Sequence, residues 1–209
     1  GLVGSEMCIR DSFGVTPDLI RKDLAFLESK GKCKKIYGGA ILNRLNVHLE
    51  DANSRKSVNS KEKQKIAQMA YDLIEPNMTV FLDISTTNIE LAKLLVLRPI
   101  SGITVVTNML DVIQILSTSQ IHSIFIGGEF DYARNGFVGN MCDEFLQRFH
   151  FDLSFLGVVG IDLESGSVMT YMPNDGQTKR IVLNQSKKAY MLADSDKFYQ
   201  MGNYEYAKV

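Results

Sequence analysis

The sequence has no tryptophan, four prolines and three cysteines among its 209 residues. Cys8, Cys33 and Cys142 are odd in number and lack both CxxC spacing and a nearby histidine cluster, so neither a disulfide framework nor a zinc site is supported. Cysteines used in this way are typical of a reducing compartment, and we expect a cytoplasmic protein without cofactor or metal. No apolar run approaches the roughly 20 residues of a membrane-spanning helix, so we expect no membrane partner.

The sequence also lacks an excess of either charge, since 23 Lys and Arg face 24 Asp and Glu for a formal net charge of -1. Taken whole, this balance argues against a strongly basic nucleic-acid coat. The charge is nevertheless unevenly distributed. Up to Lys65 there are 13 basic and 8 acidic residues, a charge of +5, and the remainder has 10 and 16, a charge of -6. A basic front and an acidic remainder predict two functional parts, the first of them suited to a polyanion.

Residues 1–12 have neither a signal-peptide pattern nor a helical or strand period. They resemble translated sequencing-adapter read-through, and we interpret them as non-native; an ordinary disordered terminus is the alternative. The folded pattern then begins abruptly at Phe13. We therefore expect native sequence to be missing before this point.

A helix is predicted to begin directly after Thr16, which is a good N-cap residue. Arg21 and Lys22 fall on the side of this helix that faces solvent. The apolar face is formed by residues that recur at spacings of four and three, namely Ile20, Leu24 and Leu27.

Two short strand-like runs follow the helix, residues 33–37 and 40–42, joined by Gly38 and Gly39 as a hairpin turn. A helix with exposed basic residues followed by a basic hairpin is the layout of a winged helix-turn-helix. The helix enters the major groove and the hairpin presses lysines onto phosphates. We predict DNA contact for Thr16, Arg21, Lys22, Lys34, Lys35, Tyr37, Gly38 and Gly39.

Residues 13–42 resemble the DNA-binding signature of the DeoR family of sugar-responsive bacterial repressors. Residues 13–16, Phe-Gly-Val-Thr, match the family's entry into its recognition helix, and residues 20–24 match its Ile-Arg-Arg-Asp-Leu core with Lys22 for the second Arg. Residues 37–40 match its His-Gly-Gly-Ala wing. The family has a first helix and most of a second before this point, so the resemblance implies a partial winged helix-turn-helix. We expect weak DNA binding by this chain and strong binding by its complete parent.

A polar connector, residues 43–60, precedes the second predicted domain, residues 61–209. We interpret Arg55 and Lys56 in the connector as solvated charges, with phosphate contact as the alternative. A helix is predicted from Lys61 to near Pro76. Its apolar face is formed by Ile66, Met69, Ala70, Leu73 and Ile74.

Short apolar runs alternate with helical patterns along the second domain. The predicted strands are residues 79–82, 103–106, 123–126, 153–158 and 189–192. The predicted helices between them are residues 88–95, 109–116, 141–149 and 178–185. This alternation predicts an α/β fold with a mostly parallel sheet covered on both faces, in which ligands bind beyond the carboxyl ends of the strands.

Polar residues cluster at those strand ends. The hydroxyls of Ser85, Thr86 and Thr87 lie at the start of a helix, an arrangement suited to phosphate, and Lys197 adds a cation after the last strand. Taken singly, each feature is more often an N-cap, a turn, a bend or a surface ion pair. Together they predict one effector cleft, with the candidates Asp83, Ser85, Thr86, Thr87, Thr107, Asn108, Gly127, Gly128, Asp194 and Lys197.

The second domain is similar to the sensor domain of the same family, which shares its fold with sugar-phosphate isomerases such as those of ribose 5-phosphate and glucosamine 6-phosphate. Residues 83–87 match the family's Asp-x-Gly-Thr-Thr loop, with Ser85 where Gly is commonest, and residues 194–198 match Asp-Ser-Ser-Lys-Phe. The resemblance adds Asp175, where Glu is frequent, and Lys179 to the effector candidates. It also implies that the chain stops before the closing part of the domain is complete.

These observations predict a DNA-binding transcriptional repressor of sugar metabolism that a phosphorylated sugar releases from its operator. Repeated half-sites would suit a homo-oligomer. One alternative is a sugar-phosphate isomerase-like enzyme, but no proton-transfer pair can be assembled around Asp83 or Asp152 from spacing, so no catalytic residue is predicted. The other is a binding module without a DNA function.

Overall fold

The computed structural model describes residues 2–5, 11–29, 33–42 and 55–209. The chain forms two compact units, Gly1–Asn46 and Val47–Val209. Most of the predicted connector, residues 43–60, lies outside the described residues.

In the first unit, helix α1 (Pro17–Ser29) is followed by the antiparallel strands β2 (Cys33–Ile36) and β3 (Gly39–Leu42). Thr16 caps α1 as predicted, since its hydroxyl accepts a hydrogen bond from the N–H of Leu19 at 3.4 Å. The predicted helix and hairpin are therefore both present.

The hairpin turn is displaced by one residue from its predicted position. Ile36 pairs with Gly39, so the two turn residues are Tyr37 and Gly38, and Gly39 belongs to β3. The φ angle of Gly38 is 76°, a left-handed conformation that glycine adopts without steric penalty. A further strand, β1 (Leu2–Ser5), pairs antiparallel with β3 in a segment whose sequence has no strand period.

The core of the first unit is small. Its buried residues are Ile20, Leu24, Cys33 and Ala40. Leu27, which the predicted apolar face of α1 included, is 41% exposed. The buried face of α1 is thus narrower than predicted, because only Ile20 and Leu24 of this helix reach the hairpin core.

The second unit is built on five parallel strands with helices on both faces. Its helices are α2 (Ser60–Tyr71), α3 (Thr86–Leu97), α4 (Leu110–Leu116), α5 (Asn140–Leu146) and α6 (Pro173–Asn184). Its strands are β4 (Thr79–Leu82), β5 (Thr104–Thr107), β6 (His122–Phe125), β7 (Glu129–Asp131), β8 (Gly136–Val138), β9 (Phe151–Gly157), β10 (Gly160–Asp162), β11 (Ser167–Thr170), β12 (Ser186–Leu192) and β13 (Tyr204–Lys208). A 3₁₀ helix, Ser195–Tyr199, follows β12.

The main sheet has the strand order β12-β9-β4-β5-β6, and every neighbouring pair is parallel. Alternate residues of a strand point to opposite faces. Val80 and Leu82 accordingly join the apolar cluster beneath α2, α3 and α4, whereas Phe81 joins a second cluster with residues of α5 and α6. The predicted parallel α/β sheet, covered on both faces, is confirmed.

The antiparallel additions to this sheet were not predicted. β7 pairs with β8, and β10, β11 and β13 form a separate three-stranded sheet. These strands have three to five residues, too few for a two-residue period to stand out. Helix α6 also begins at Pro173, five residues before the prediction, since its first turns carry polar and charged residues.

The predicted apolar face of α2 is correct only in part. Ala70 and Ile74 are buried and Ile66 packs against the core, whereas Met69 is 70% exposed and Leu73 is 40% exposed. The buried side of the helix also carries Lys63 and Ala67, which the prediction did not include. The small side chains of Ala67 and Ala70 let this side approach the core closely.

Candidate ligand-binding site

A cleft lies at the carboxyl ends of β4, β9 and β12, three neighbouring strands of the main sheet. It is lined by the loops that follow these strands, at residues 84–87, 157–159 and 194–197. Such strand ends are the usual ligand site of open parallel sheets. Seven of the predicted effector residues line it, namely Ser85, Thr86, Thr87, Asp175, Lys179, Asp194 and Lys197.

The loop after β4 presents the N-terminus of α3 to the cleft. Ser85 is the N-cap, with an extended backbone, and its hydroxyl accepts from the N–H of Thr87 at 3.2 Å. Thr86 is the first residue of this 12-residue helix and lines the cleft. The first N–H groups of a helix lack partners within the helix and carry partial positive charge, so this end of α3 favours an anion.

A buried ionic triad lies behind this loop. The ammonium of Lys179 is 2.6 Å from Asp83 Oδ2 and 2.9 Å from Asp175 Oδ1. Burial raises the pKa of the Asp83 carboxyl, and the Lys179 ammonium opposes that rise. Burial also opposes the charge on Lys179, but the two carboxylates outweigh it and the pKa of Lys179 is raised. The triad therefore holds a charged ammonium between α6 and the end of β4.

Gly157 ties the ends of β4 and β9 together at the floor of the cleft. Its N–H donates to Asp83 Oδ2 at 2.8 Å, and its carbonyl accepts from the hydroxyl of Tyr206 at 3.0 Å. A Cβ at this position would lie 2.7 Å from the carbonyl oxygen of Ile84, so the close approach of the two loops requires glycine. The amide of Asn88 adds hydrogen bonds to the carbonyls that end these strands.

Four predicted effector residues do not line the cleft: Thr107, Asn108, Gly127 and Gly128. The hydroxyl of Thr107 donates to the carbonyl of Leu82 at 2.7 Å, and the amide of Asn108 donates to the carbonyl of Phe137 at 2.8 Å. The β7–β8 hairpin explains the separation. Its Gly136 lies against Ile84, so the hairpin stands between the ends of β5 and β6 and the loop after β4.

Asp83 is the fifth predicted residue outside the lining. Its side chain is buried within the triad rather than exposed to the cleft. It supports the site through Lys179 and Gly157.

Several lining residues were missed by the sequence patterns. Arg55 and Asn59 come from the segment before α2, Lys63 from the buried face of that helix, and Arg134 from the β7–β8 hairpin, where it pairs with Asp131. Five lining side chains are cationic and three are carboxylates, and a surplus of positive charge favours an anionic ligand. Lys63, Ala67 and Ala70 recur at helical spacing on α2, and this spacing is the pattern that would have placed Lys63 on the buried side.

The interpretation of Arg55 and Lys56 as solvated charges is wrong. The ammonium of Lys56 forms an ion pair of 2.7 Å with Asp111, and Arg55 lines the cleft. The ammonium of Lys63 donates to the main-chain carbonyl of Arg55 at 2.5 Å. Burial lowers the pKa of Lys63, and the charge of Asp194 opposes that change.

The predicted DNA-contacting residues lie on α1 and the hairpin of the first unit. Arg21, Lys22, Lys34 and Tyr37 are exposed, and Arg21 lies 3.8 Å from Asp18. The side chain of Lys35 is half-buried, whereas Gly39 is buried within β3. Thr16 and Gly38 are also exposed.

Within residues 2–5, 11–29, 33–42 and 55–209, no cluster of three or more His, Cys, Asp or Glu could hold a metal ion. No helix in these ranges is long and apolar enough to cross a membrane.

Comparison with known proteins matches each unit to a described domain. Residues 9–45 match the DeoR-like helix-turn-helix domain, and residues 58–209 match the DeoR C terminal sensor domain. The glycerol-3-phosphate regulon repressor of Escherichia coli K12 is 31% identical over 95% of this chain and 77% of its own. The lactose phosphotransferase system repressor of Lactococcus lactis is 33% identical over 91% of this chain and 74% of its own. The L-fucose operon activator of Haemophilus influenzae is 32% identical over 88% of this chain and 73% of its own.

Solved structures resemble the second unit in fold. Ribose 5-phosphate isomerase A from Neisseria gonorrhoeae has a TM-score of 0.50 at 12% identity, over 69% of this chain and 56% of that chain. The protein eIF2B delta from Chaetomium thermophilum has a TM-score of 0.51 at 12% identity, over 74% of this chain and 59% of that chain. Each match spans less than two thirds of the solved chain, and at these identities it shows a shared fold only.

Proposed function

This chain belongs to the DeoR family of transcriptional regulators, not enzymes, and we propose that it represses sugar-metabolism genes by binding operator DNA through its first unit. In the same proposal the cleft of the second unit binds a phosphorylated sugar, which weakens DNA binding. DNA must then weaken sugar binding by the same factor, because coupling between two sites is reciprocal. The proposed place of action is the cytoplasm, and the proposed active form is a homo-oligomer.

The N-terminus of α3 carries the effector half of this proposal. A phosphate group is a compact anion with strong acceptor oxygens, and the loop of Ser85 and Thr86 offers it hydroxyls, main-chain N–H groups and the positive end of a helix. Lys197 and Arg134 line the same cleft and supply positive charge. A neutral sugar would use the hydroxyls but not the charge.

The exposed cations of α1 and β2 support the proposal that the first unit binds DNA. Arg21, Lys22 and Lys34 are exposed and carry the positive charge that phosphates would meet. We propose domain limits of residues 13–42 for this part and 61–209 for the sensor.

The two carboxylates considered for the isomerase alternative, Asp83 and Asp152, are not available as bases. The oxygen Oδ2 of Asp83 is engaged by both Lys179 and Gly157. Asp152 lies at the opposite end of the sheet, where its carboxylate accepts from the N–H of Thr79 and from Lys187. Both carboxylates therefore have structural partners and neither faces a substrate position.

Thermal unfolding with a panel of hexose and pentose phosphates tests the effector half. At a concentration of about 100 times its Kd, a bound sugar phosphate stabilises the fold by about 2.7 kcal/mol. Thr86→Val should lose this stabilisation and keep the unliganded melting temperature. Thr118→Val is the matched control, since Thr118 lies outside the cleft and should respond as wild type does.

An electrophoretic mobility assay on the operator region tests the DNA half. Arg21→Ala should weaken binding and reduce its salt dependence, while Arg148→Ala, an exposed arginine of the second unit, should not. A sugar phosphate that stabilises the fold should also release the DNA. If no member of the panel changes either the melting temperature or the DNA affinity, the proposed function is wrong.

A further inference from the structure

Lys63 is a buried cation that the protein does not neutralise. The residue is 5% exposed, and its ammonium donates to one acceptor, the main-chain carbonyl of Arg55. Among residues 55–209 no carboxylate comes within ion-pair distance of it; Asp194 and Glu90 act on it from farther away. A buried ammonium normally requires an anionic partner, so this position calls for one.

The charges around Lys63 are of both signs, and Asp194 and Glu90 raise its pKa against the effect of burial. Arg55 and Lys197 both line the cleft, and the charge of each lowers the pKa of Lys63 further. Ser85 and Thr86, at the positive end of α3, line the same cleft. An anion between the two sides would be attracted by the cations and by this helix end at once.

The partner of Lys63 belongs to the segment that leads toward the first unit. Side-chain contacts attach residues 55–59 to the rest of the second unit. The carbonyl of Arg55 binds Lys63, the ammonium of Lys56 pairs with Asp111 at 2.7 Å, and the amide of Asn59 donates to Asp196 at 3.0 Å. Lys63 and Asp196 are themselves cleft residues, so two attachments depend directly on the cleft.

We propose that Lys63 and Arg55 bind the phosphate of the effector, and that Lys63 couples this phosphate to the position of residues 55–59 through the carbonyl of Arg55. The inference rests on the proposed function, in which the ligand of the cleft is a sugar phosphate. An ammonium has three donors, so Lys63 can hold the carbonyl and a phosphate oxygen together. Occupancy therefore fixes Lys63 and, with it, the segment that continues to the DNA-binding unit.

Trypsin cleaves after arginine and lysine, so the rates of cleavage after Arg55 and after Lys56 report directly on whether this segment is held in place. The full chain is digested alone, with inorganic phosphate, with glucose, and with those sugar phosphates of the panel that bind by calorimetry. Sugar phosphates should slow cleavage at residues 55 and 56 about tenfold, inorganic phosphate should slow it less, and glucose should have no effect.

Lys63→Met tests the coupling, since methionine fills the same apolar space without the charge. The variant should bind the sugar phosphate at least tenfold more weakly and lose the protection of residues 55 and 56 even at saturation. Lys61→Met is the matched control on the same helix; Lys61 is exposed, and both readouts should stay at wild-type values. Arg55→Gln, which keeps the carbonyl, should weaken binding and retain ligand-dependent protection at Lys56.

Two outcomes separate this inference from the function on which it rests. If Thr86→Val abolishes binding but Lys63→Met retains wild-type affinity or wild-type protection, the proposed function stands and the coupling through Lys63 is wrong. If the wild-type chain binds no sugar phosphate, the proposed function fails and the inference fails with it.

Discussion

Two buried lysines border the same cleft, and the protein treats their charges in opposite ways. Lys179 is held by Asp83 and Asp175 at 2.6 and 2.9 Å, and these carboxylates raise its pKa. Lys63 has a main-chain carbonyl as its acceptor, and burial lowers its pKa. An ammonium that the fold neutralises is part of the scaffold, whereas one that it leaves uncompensated is prepared for an external anion.

The largest effect is expected at Lys179. Lys179→Met leaves two carboxylates buried without their cation and should lower the free energy of unfolding by about 3–5 kcal/mol, measured by urea denaturation. Lys187→Met is the control, because the side chain of Lys187 is 77% exposed beside Asp152 and its loss should cost less than about 1 kcal/mol. Equal losses in the two variants would contradict a scaffold role for the triad.

A smaller effect is expected at Tyr206, which supports the same scaffold through Gly157. Tyr206→Phe leaves the carbonyl of Gly157 without this buried donor and should lower the free energy of unfolding by about 1 kcal/mol. Tyr132→Phe, at a tyrosine that is 85% exposed, should change nothing measurable in the same urea titration. A neutral result for Tyr206→Phe would mean that the carbonyl is satisfied in another way.

Lys63 should behave differently from Lys179 in the unliganded protein. Lys63→Met removes a buried charge that lacks an anion, so the free energy of unfolding should stay within about 1 kcal/mol of wild type or increase. Urea denaturation without ligand measures this directly. A loss as large as that of Lys179→Met would show that Lys63 is also a scaffold residue and would remove the contrast between the two.

The smallest effect concerns Asp152, a carboxylate partnered at the protein surface. The hydrogen bond from Lys187 and the N–H of Thr79 lower its pKa, so it stabilises the fold above its unfolded pKa of about 4 and loses that contribution as the pH falls through the folded value. Asp152→Asn should therefore reduce the free energy of unfolding by a few tenths of a kcal/mol at pH 7 and by less at pH 3. Urea titrations at the two pH values would test this, and a constant difference would contradict it.

The parallel sheet and the loop that starts α3 could both be predicted from the sequence. Strand β4 is an uninterrupted apolar run bounded by polar residues, and Ser85 to Thr87 follow it directly, so both the strand and the helix start are visible in the local pattern. Thr107 ends β5 and Asn108 follows it, a similar polar strand end, yet they do not line the cleft. The difference depends on the β7–β8 hairpin, whose strands of three residues leave no readable period.

The missed cations depend on packing that no local pattern contains. Lys63 lies on the buried face of α2 because Ala67 and Ala70 let that face approach the sheet, while Met69 remains outside. Arg55 lies in a segment whose sequence is typical of a polar connector, whereas in the structure its carbonyl accepts from the ammonium of Lys63. Side-chain chemistry alone could not indicate a contact made by the main chain.

That main-chain contact has a consequence for how such regulators diversify. Every residue type carries a carbonyl, so a substitution at position 55 alters the side chain that faces the cleft and keeps the acceptor for Lys63. If the cleft binds a sugar phosphate as proposed, selection for a new sugar can act on the side chains around the cleft and leave the contact between Arg55 and Lys63 in place. A contact of this kind also leaves no covarying pair of side chains, so it would be invisible to a comparison of sequences alone.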